Sequence, residues 1–400
     1  MTLMSTTPTL QTTSPESPEP RRRREKRSRL GLTLWLLTGL VVLPSICLEI
    51  YVRLDSDKMD LMQYTGRATG ANPMDNWAYV DAFAAYRGKP GSAGIGKSIN
   101  SHGFISTPEL SVTKPENTTR VVFLGGSSTA GTGHDLKDVD TWPWYAIEEL
   151  RAGMPKGQDL EFINAALGGY STFESYGRLW SRLRAYDPDI VVMYHAWNDM
   201  YYFDRADPEK LVGWRTLPNG EWTLKRNNGS LKMLDPWWLD HLLQYSQLAI
   251  RARLRIAAMF DEVQGEVGDK RALASDYNHG GLDIFRFNLK LIQHACALMG
   301  ADLFVAKQAT LIVPDLPDED RERCRYDYHG FDHDAHVAAY QAMYDIIDEE
   351  LPGDRVLDMT SLSGKSEVFA DHVHPTEAGA RRIATLMADK LAPYVQAKQP

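Results

Sequence analysis

From Arg120 onward, short apolar runs alternate with longer amphipathic stretches, and no other feature of the sequence restricts the fold as strongly. The apolar runs are 120–125 (RVVFLG), 160–165 (LEFINA), 189–195 (DIVVMYH), 302–307 (DLFVAK) and 354–358 (DRVLD). Helical periodicity is read between and after them, over 140–152, 172–185, 282–299, 333–350 and 376–393. Strands that are apolar on both faces belong in a parallel sheet covered by helices on each side. The expected fold is therefore α/β, a three-layer α/β/α domain with a five-stranded parallel sheet. Ligands of such sheets sit beyond the carboxyl ends of the strands, so the segments that directly follow strands are the ones to read for chemistry.

Residues 200–281 interrupt the alternation. They hold a turn signal, Pro218-Asn219-Gly220, an aromatic pair, Trp237 and Trp238, and a helical pattern over 236–260. A connection of that length exceeds what a compact domain needs. It reads as a cap-like helical and loop insertion after the third strand.

The 400 residues carry a net charge of −9, yet residues 1–29 hold seven basic and three acidic side chains, +4, which leaves −13 on the remainder. An acidic body excludes nucleic acid as the main partner, because phosphate contacts need clustered Lys and Arg. The basic cluster is explained by its neighbour. Leu30 to Leu48 reads LGLTLWLLTGLVVLPSICL, 19 residues without a charge, enough to cross a hydrocarbon core as a helix. The basic flank places the N-terminus in the cytoplasm and the rest of the chain outside, periplasmic or extracellular. The absence of an A-x-A pattern near Cys47 argues for an uncleaved signal-anchor. The expected organisation is a disordered basic tail over 1–29, a transmembrane helix over 30–50, a stalk and packing segment over 51–118, and a main domain over 119–400 with the insertion 200–281. Cys296 and Cys324 would lie where a disulfide can persist, but the sequence does not decide between a bridge and two thiols.

Four segments carry chemistry. The first strand runs into Gly125-Gly126-Ser127-Ser128-Thr129-Ala130-Gly131. A serine at a glycine-rich strand-to-helix turn can be exposed with its backbone N–H aimed at a substrate oxygen. A phosphate loop uses a similar turn, but the G-K-S/T ending and the G-x-G-x-x-G spacing are missing. The second strand ends in Asn164-Ala165-Ala166-Leu167-Gly168-Gly169-Tyr170-Ser171, and the third in His195-Ala196-Trp197-Asn198-Asp199. Asp371-His372-Val373-His374-Pro375 precedes the last helix.

In order and content these segments resemble the four marker blocks of the SGNH (GDSL-like) hydrolases, a likeness that spans about residues 120–393. The resemblance implies the flavodoxin-like SGNH fold and assigns Ser127 as nucleophile, His374 as general base and acid, and Asp371 as the group that orients the imidazole. Its implied oxyanion hole is the backbone N–H of Ser127 and of Gly169 with the side-chain amide of Asn198. No metal or organic cofactor is implied. Two positions depart from the pattern. Gly126 stands where the family usually has Asp, and Ala196 where it has Gly; the added methyl at Ala196 is expected to narrow the hole.

Other readings compete at several residues. Ser128 is the rival nucleophile, although only Ser127 keeps the F-L-G-x-S-x-T-x-G register. Asp332, His333, Asp334 and His336 have metal-ligand types, as do Asp371, His372 and His374, but acidic residues are also favoured where a helix begins. His195 either lines a pocket or is a satisfied core histidine.

The expected activity is that of a serine esterase or deacylase that cleaves acyl esters of an envelope polysaccharide, glycan or lipid through an acyl-serine intermediate. An O-acetyltransferase acting on an exopolysaccharide would use the same triad with a sugar hydroxyl in place of water. A catalytically silent carbohydrate-binding or scaffold protein is the third reading, opposed by the intact set of Ser127, Asp371, His374 and Asn198. The expected partners are thus an acyl-ester substrate and a membrane, the latter through the N-terminal helix.

Overall fold

The computed structural model describes residues 35, 38–54, 77–81, 83–92, 96–132, 136–203, 213–216, 222–225, 238–259 and 273–398. The strands are β1 (Ala78–Asp81), β2 (Ala85–Gly88), β3 (Thr118–Gly125), β4 (Asp159–Asn164), β5 (Ile190–His195), β6 (Gly213–Thr216), β7 (Trp222–Lys225), β8 (Asp302–Lys307) and β9 (Val356–Asp358). The labelled helices are α1 (Ser127–Ala130), α2 (Trp142–Ala152), α3 (Thr172–Ser181), α4 (Asp240–Leu243), α5 (Gln247–Met259), α6 (Gly280–Met299), α7 (Asp318–Arg321), α8 (His333–Glu350) and α9 (Glu377–Ala397). Residues 38–54 are also helical.

All five expected strands form one parallel sheet in the order β4-β3-β5-β8-β9. Right-handed crossovers fix the layers. The step from β3 to β4 runs one way along the sheet and every later step runs the other. The rule therefore puts α2 on one face and α3, α6 and α8 on the opposite one. Packing agrees, with α2 against α9 and α6 against both α3 and α8. The reversal of strand order lies between β3 and β5, so the crevice beyond their carboxyl ends is the expected ligand site.

Local chemistry sets the element ends. Ser171-Thr172-Phe173-Glu174 is a capping box: the Ser171 hydroxyl accepts from the Phe173 N–H, and the Glu174 carboxylate accepts from the Ser171 N–H at 2.8 Å. Thr376 caps α9 by accepting from the Gly379 N–H, and Asp332 caps α8 by accepting from the Ala335 N–H. The run 354–358 forms a strand only over its last three residues, because Gly353–Arg355 turns as a 3-10 helix after Pro352.

The helical pattern over 236–260 is interrupted. Its described part is α4 and α5, separated at Ser246, whose hydroxyl accepts from the Ala249 N–H at 3.0 Å and so starts a new helix. The turn Pro218-Asn219-Gly220 lies outside the described residues, and β6 and β7 pair antiparallel on either side of it.

The chain divides into two compact units. The smaller combines helical residues 38–54 with His241–Ala252. Within it the Glu49 carboxylate accepts from the Ser246 hydroxyl at 2.7 Å and from the Gln247 and Leu248 N–H groups at 2.9 Å each. Those are orphan donors of the first turn of α5. Leu40, Val41, Leu43, Ile46, Ile50 and Leu54 of this unit are exposed. Among the described residues no helix is long and apolar enough to cross a membrane. The expected tail 1–29 lies outside those residues, as does the start of the expected span 30–50.

The larger unit holds the sheet. Val121, Val122, Phe123 and Leu124 of β3 and Ile190, Val191, Val192 and Met193 of β5 are wholly buried. Part of the segment preceding β3 packs here as well. Tyr86, Ile99 and Ile105 form a small core with Ala166, Leu167 and Tyr170 of the loop after β4. Cys296 and Cys324 are buried free thiols, so no bridge joins them.

Arg120, at the start of β3, is completely buried. Its guanidinium donates to the carbonyls of Ser111, Val112 and Tyr186 and pairs with Glu161 of β4 at 2.6 Å. One side chain thereby ties the preceding segment, two strands and the turn before β5. Arg120→Met keeps the length but leaves buried acceptors unpaired. It is expected to lower the unfolding free energy by about 3 kcal/mol, measurable by urea denaturation.

Candidate active site

The nucleophile turn is short. β3 ends at Gly125, Gly126 is extended, and α1 makes one turn before Gly131 closes it in the left-handed region. Ser127 heads that turn, so its backbone N–H is among those a helix start leaves without an internal partner. The side chain of Asn164, at the end of β4, donates to the Thr129 carbonyl at 3.0 Å and fixes α1 from below. Ser127 is partly exposed and its hydroxyl lies 2.7 Å from His374 Nε2. Ser128 is buried, and its hydroxyl accepts from Gln308 Nε2 at 3.0 Å. The geometry therefore separates the two serines, one facing an imidazole and the other an amide.

His374 is held from behind. Its Nδ1 lies 2.7 Å from Asp371 Oδ2, and Asp371 Oδ1 accepts the N–H groups of Val373 and His374 at 2.9 and 2.8 Å. A carboxylate accepts only, so Nδ1 carries the proton and the Nε2 lone pair faces the Ser127 hydroxyl. Burial opposes ionisation of Asp371. The hydrogen bond to His374, the nearby imidazoles and the backbone N–H outweigh it and hold the carboxyl well below its ordinary range. The turn 371–375 is pinned by Thr310 Oγ1 and the Leu311 N–H, which both donate to the His372 carbonyl at 2.9 Å.

The three expected oxyanion donors lie on segments that meet around Ser127. Asn198 follows β5, and its Nδ2 donates one hydrogen to the Tyr170 carbonyl at 2.8 Å, which leaves the second hydrogen to be directed elsewhere. Gly169 has φ +78, in the left-handed region that favours glycine. The preceding segment supports this loop: the Tyr86 hydroxyl donates to the Gly168 carbonyl, and the Tyr170 hydroxyl donates to the Tyr86 carbonyl.

Both departures from the family pattern have local explanations. A Cβ on Gly126 would lie 2.4 Å from Asn198 Nδ2 and 3.1 Å from the Tyr170 carbonyl oxygen. A side chain at 126 would therefore press on the Asn198 amide as it is placed here. Ala196 has φ −172, outside the left-handed region that favours glycine.

Several residues stand differently from expectation, or escaped the sequence reading. His195 is buried and hydrogen-bonded to Ser175 at 2.7 Å, which makes it a satisfied core histidine. Asp199 is fully buried and accepts from the Thr172 N–H and hydroxyl, locking the turn after β5 to the start of α3. Gln308 and Thr310, just beyond β8, touch the turns of the site although the run 302–307 drew attention only as a strand. Their one signal was position at a strand's carboxyl end. His372 is buried on the Trp197 ring, with centroids 4.0 Å apart.

The metal-like group before α8 is engaged otherwise. His333 bonds to Tyr326 and to the Val313 carbonyl, and His336 Nδ1 donates to the Asp332 carbonyl at 2.8 Å. His336 Nε2 then accepts from His329 Nδ1 at 3.2 Å. Among the described residues no group of three or more His, Cys, Asp or Glu side chains is placed to hold a metal.

A Ser–His–Asp hydrogen-bond chain over the switch point of an open parallel sheet is the arrangement of a serine hydrolase. The model of the GDSL-like Lipase/Acylhydrolase family matches residues 123–382, and the chain belongs to that family; it is an ester hydrolase. No protein of curated function matches it. Among solved structures it is similar to the acetyl xylan esterase AlAXEase (14% identity, 68% of this chain and 98% of the other, TM-score 0.37). It is similar also to TesA (15%, 69% and 99%, 0.36) and to the lipase/acylhydrolase from Enterococcus faecalis (15%, 70% and 100%, 0.37).

The histidines around Trp197 generate a pH prediction. Burial lowers His336 to about 4 and His372 to about 3, and burial together with the neighbouring His336 and His372 puts His329 well below its ordinary value. Below about pH 6.5 the unfolded chain takes up these protons and the folded chain does not. Stability is then lost as pH falls from about 6.5 towards about 4, by a few kcal/mol in total. Urea denaturation at successive pH values should show that slope, and His372→Gln should make it shallower.

Proposed function

We propose that the chain cleaves acyl esters through an acyl-serine intermediate on Ser127. The observation that carries this reading is the unbroken relay from the Ser127 hydroxyl through His374 to Asp371, with 2.7 Å at both links. Ser127 Oγ attacks the ester carbonyl carbon as His374 Nε2 takes the hydroxyl proton. Asp371 keeps the imidazole in the right tautomer and stabilises its charged form. The tetrahedral oxyanion is received by the N–H groups of Ser127 and Gly169 and by Asn198 Nδ2. Its collapse expels the alcohol, which takes the proton from His374, and water then releases the acid by the same steps in reverse. The substrate class we propose is an acyl ester of an envelope glycan or lipid, met on the outer side of a membrane.

The membrane placement rests on the charge pattern of 21–29, the uncharged run 30–48 and the exposed apolar side chains of 40–54. In cells whose outer layer has been made permeable, added protease is expected to digest the chain beyond residue 54. Protection of that part would reverse the proposed topology.

Ser127→Ala is expected to lower turnover of an aryl acetate by a factor on the order of 10⁴ or more without unfolding the protein. Ser128→Ala should remain far more active. Asn198→Ala is expected to lower kcat by about 10²–10³ with little change in KM, as for an oxyanion donor. Activity that survives in Ser127→Ala but is lost in Ser128→Ala would overturn the nucleophile assignment. A fall in melting temperature with normal kcat per folded molecule would remove Asn198 from the site.

A further inference from the structure

The turn after β8 carries none of the groups that the proposed reaction uses, yet it bonds to three of the segments that do. β8 pairs with β5 up to His195 opposite Lys307, so Gln308 is the first residue past the sheet's edge. Gln308 is 3% exposed. Its Nε2 donates to Ser128 Oγ at 3.0 Å and its Oε1 accepts the Trp197 N–H at 2.9 Å. Its backbone carbonyl accepts the Tyr344 hydroxyl from α8, which fixes the base of the side chain. Two and three residues on, Thr310 and Leu311 hold the His372 carbonyl.

Each side-chain bond of Gln308 falls one residue from a group of the site, Ser128 beside Ser127 and Trp197 beside Asn198. From this we infer that Gln308 is a positioning residue that sets the separation between the nucleophile and the Asn198 oxyanion donor. The inference rests on the esterase reading of the same site. The chemistry selects glutamine: one planar amide offers a donor at one corner and an acceptor at the other. An ionised Glu has no donor, Asn is too short to reach both partners from the same backbone position, and Met makes neither bond. Because nucleophile and donor must meet one tetrahedral centre, a displacement of about 1 Å can cost up to about 10²-fold in rate.

The test uses the full chain in detergent with an aryl acetate as probe. The parent, Gln308→Met, Ser128→Ala, Asn198→Ala and the double variant Gln308→Met/Asn198→Ala are compared for kcat and KM per folded molecule. Gln308→Met is expected to lower kcat by about 10- to 100-fold with KM within about threefold. In the Asn198→Ala background the same change should cost less than about threefold, because the donor it positions is already gone. Ser128→Ala cuts one of the two bonds and should lower kcat several-fold with KM unchanged; it carries the test if Gln308→Met does not fold. A kcat within twofold of the parent in the folded variants, or an undiminished loss in the Asn198→Ala background, overturns the inference. The two levels remain distinguishable. An active Ser127→Ala defeats the acyl-serine reading on Ser127 from which the inference starts, whereas an inactive Ser127→Ala beside a normal Gln308→Met defeats only the role of Gln308.

Discussion

The structure hangs from β3. That strand is hydrogen-bonded to β4 on one side and β5 on the other, and four consecutive side chains, Val121 to Leu124, are wholly buried between the helical layers. A strand bonded on both edges and buried on both faces cannot slide, since a shift by one residue would exchange its faces and break both ladders. Its carboxyl end is therefore a fixed point. Ser127, two residues beyond Gly125, inherits that rigidity, and the neighbouring strands deliver Asn164, Gly169 and Asn198 to the same edge.

Polar side chains then convert a shared edge into a defined geometry. Asn164 holds α1, Asp199 holds the start of α3, Gln308 spans Ser128 and the Trp197 backbone, and Thr310 holds the turn that carries Asp371 and His374. All four are buried. In such surroundings an unpaired polar group costs about 1–3 kcal/mol, so the satisfied network favours one arrangement of the site over its neighbours. At 126 the glycine leaves the Asn198 amide its place, since an added Cβ would lie 2.4 Å from Asn198 Nδ2.

The unit formed by 38–54 and His241–Ala252 shows the same economy on a smaller scale. Glu49 ends an apolar stretch of sequence, and its carboxylate serves the first turn of α5 in a segment nearly two hundred residues away along the chain. Part of the insertion is thus bound to the helix that we propose continues into the membrane. Neither the break between α4 and α5 at Ser246 nor Glu49's partner could be read from periodicity, which reports a helical face and not what caps its end.

The sequence by itself determined the class of fold, the order of strands and helices, and the residue types of the site. These follow from short-range rules: apolar runs of strand length, helical spacing between them, and four short segments placed after strands or before the last helix. Element ends moved by a few residues where a cap or a 3-10 turn intervened, as at Ser246 and Gly353. The tertiary structure alone decided which serine faces the imidazole, that Cys296 and Cys324 stay apart, that His195 and His336 are core residues, and that Gln308 stands behind the nucleophile. Each of those outcomes depends on contacts between residues distant along the chain. Such contacts are fixed only when the strands take their order and register, because a residue's type states what bonds it can make and only the packed fold supplies the partner.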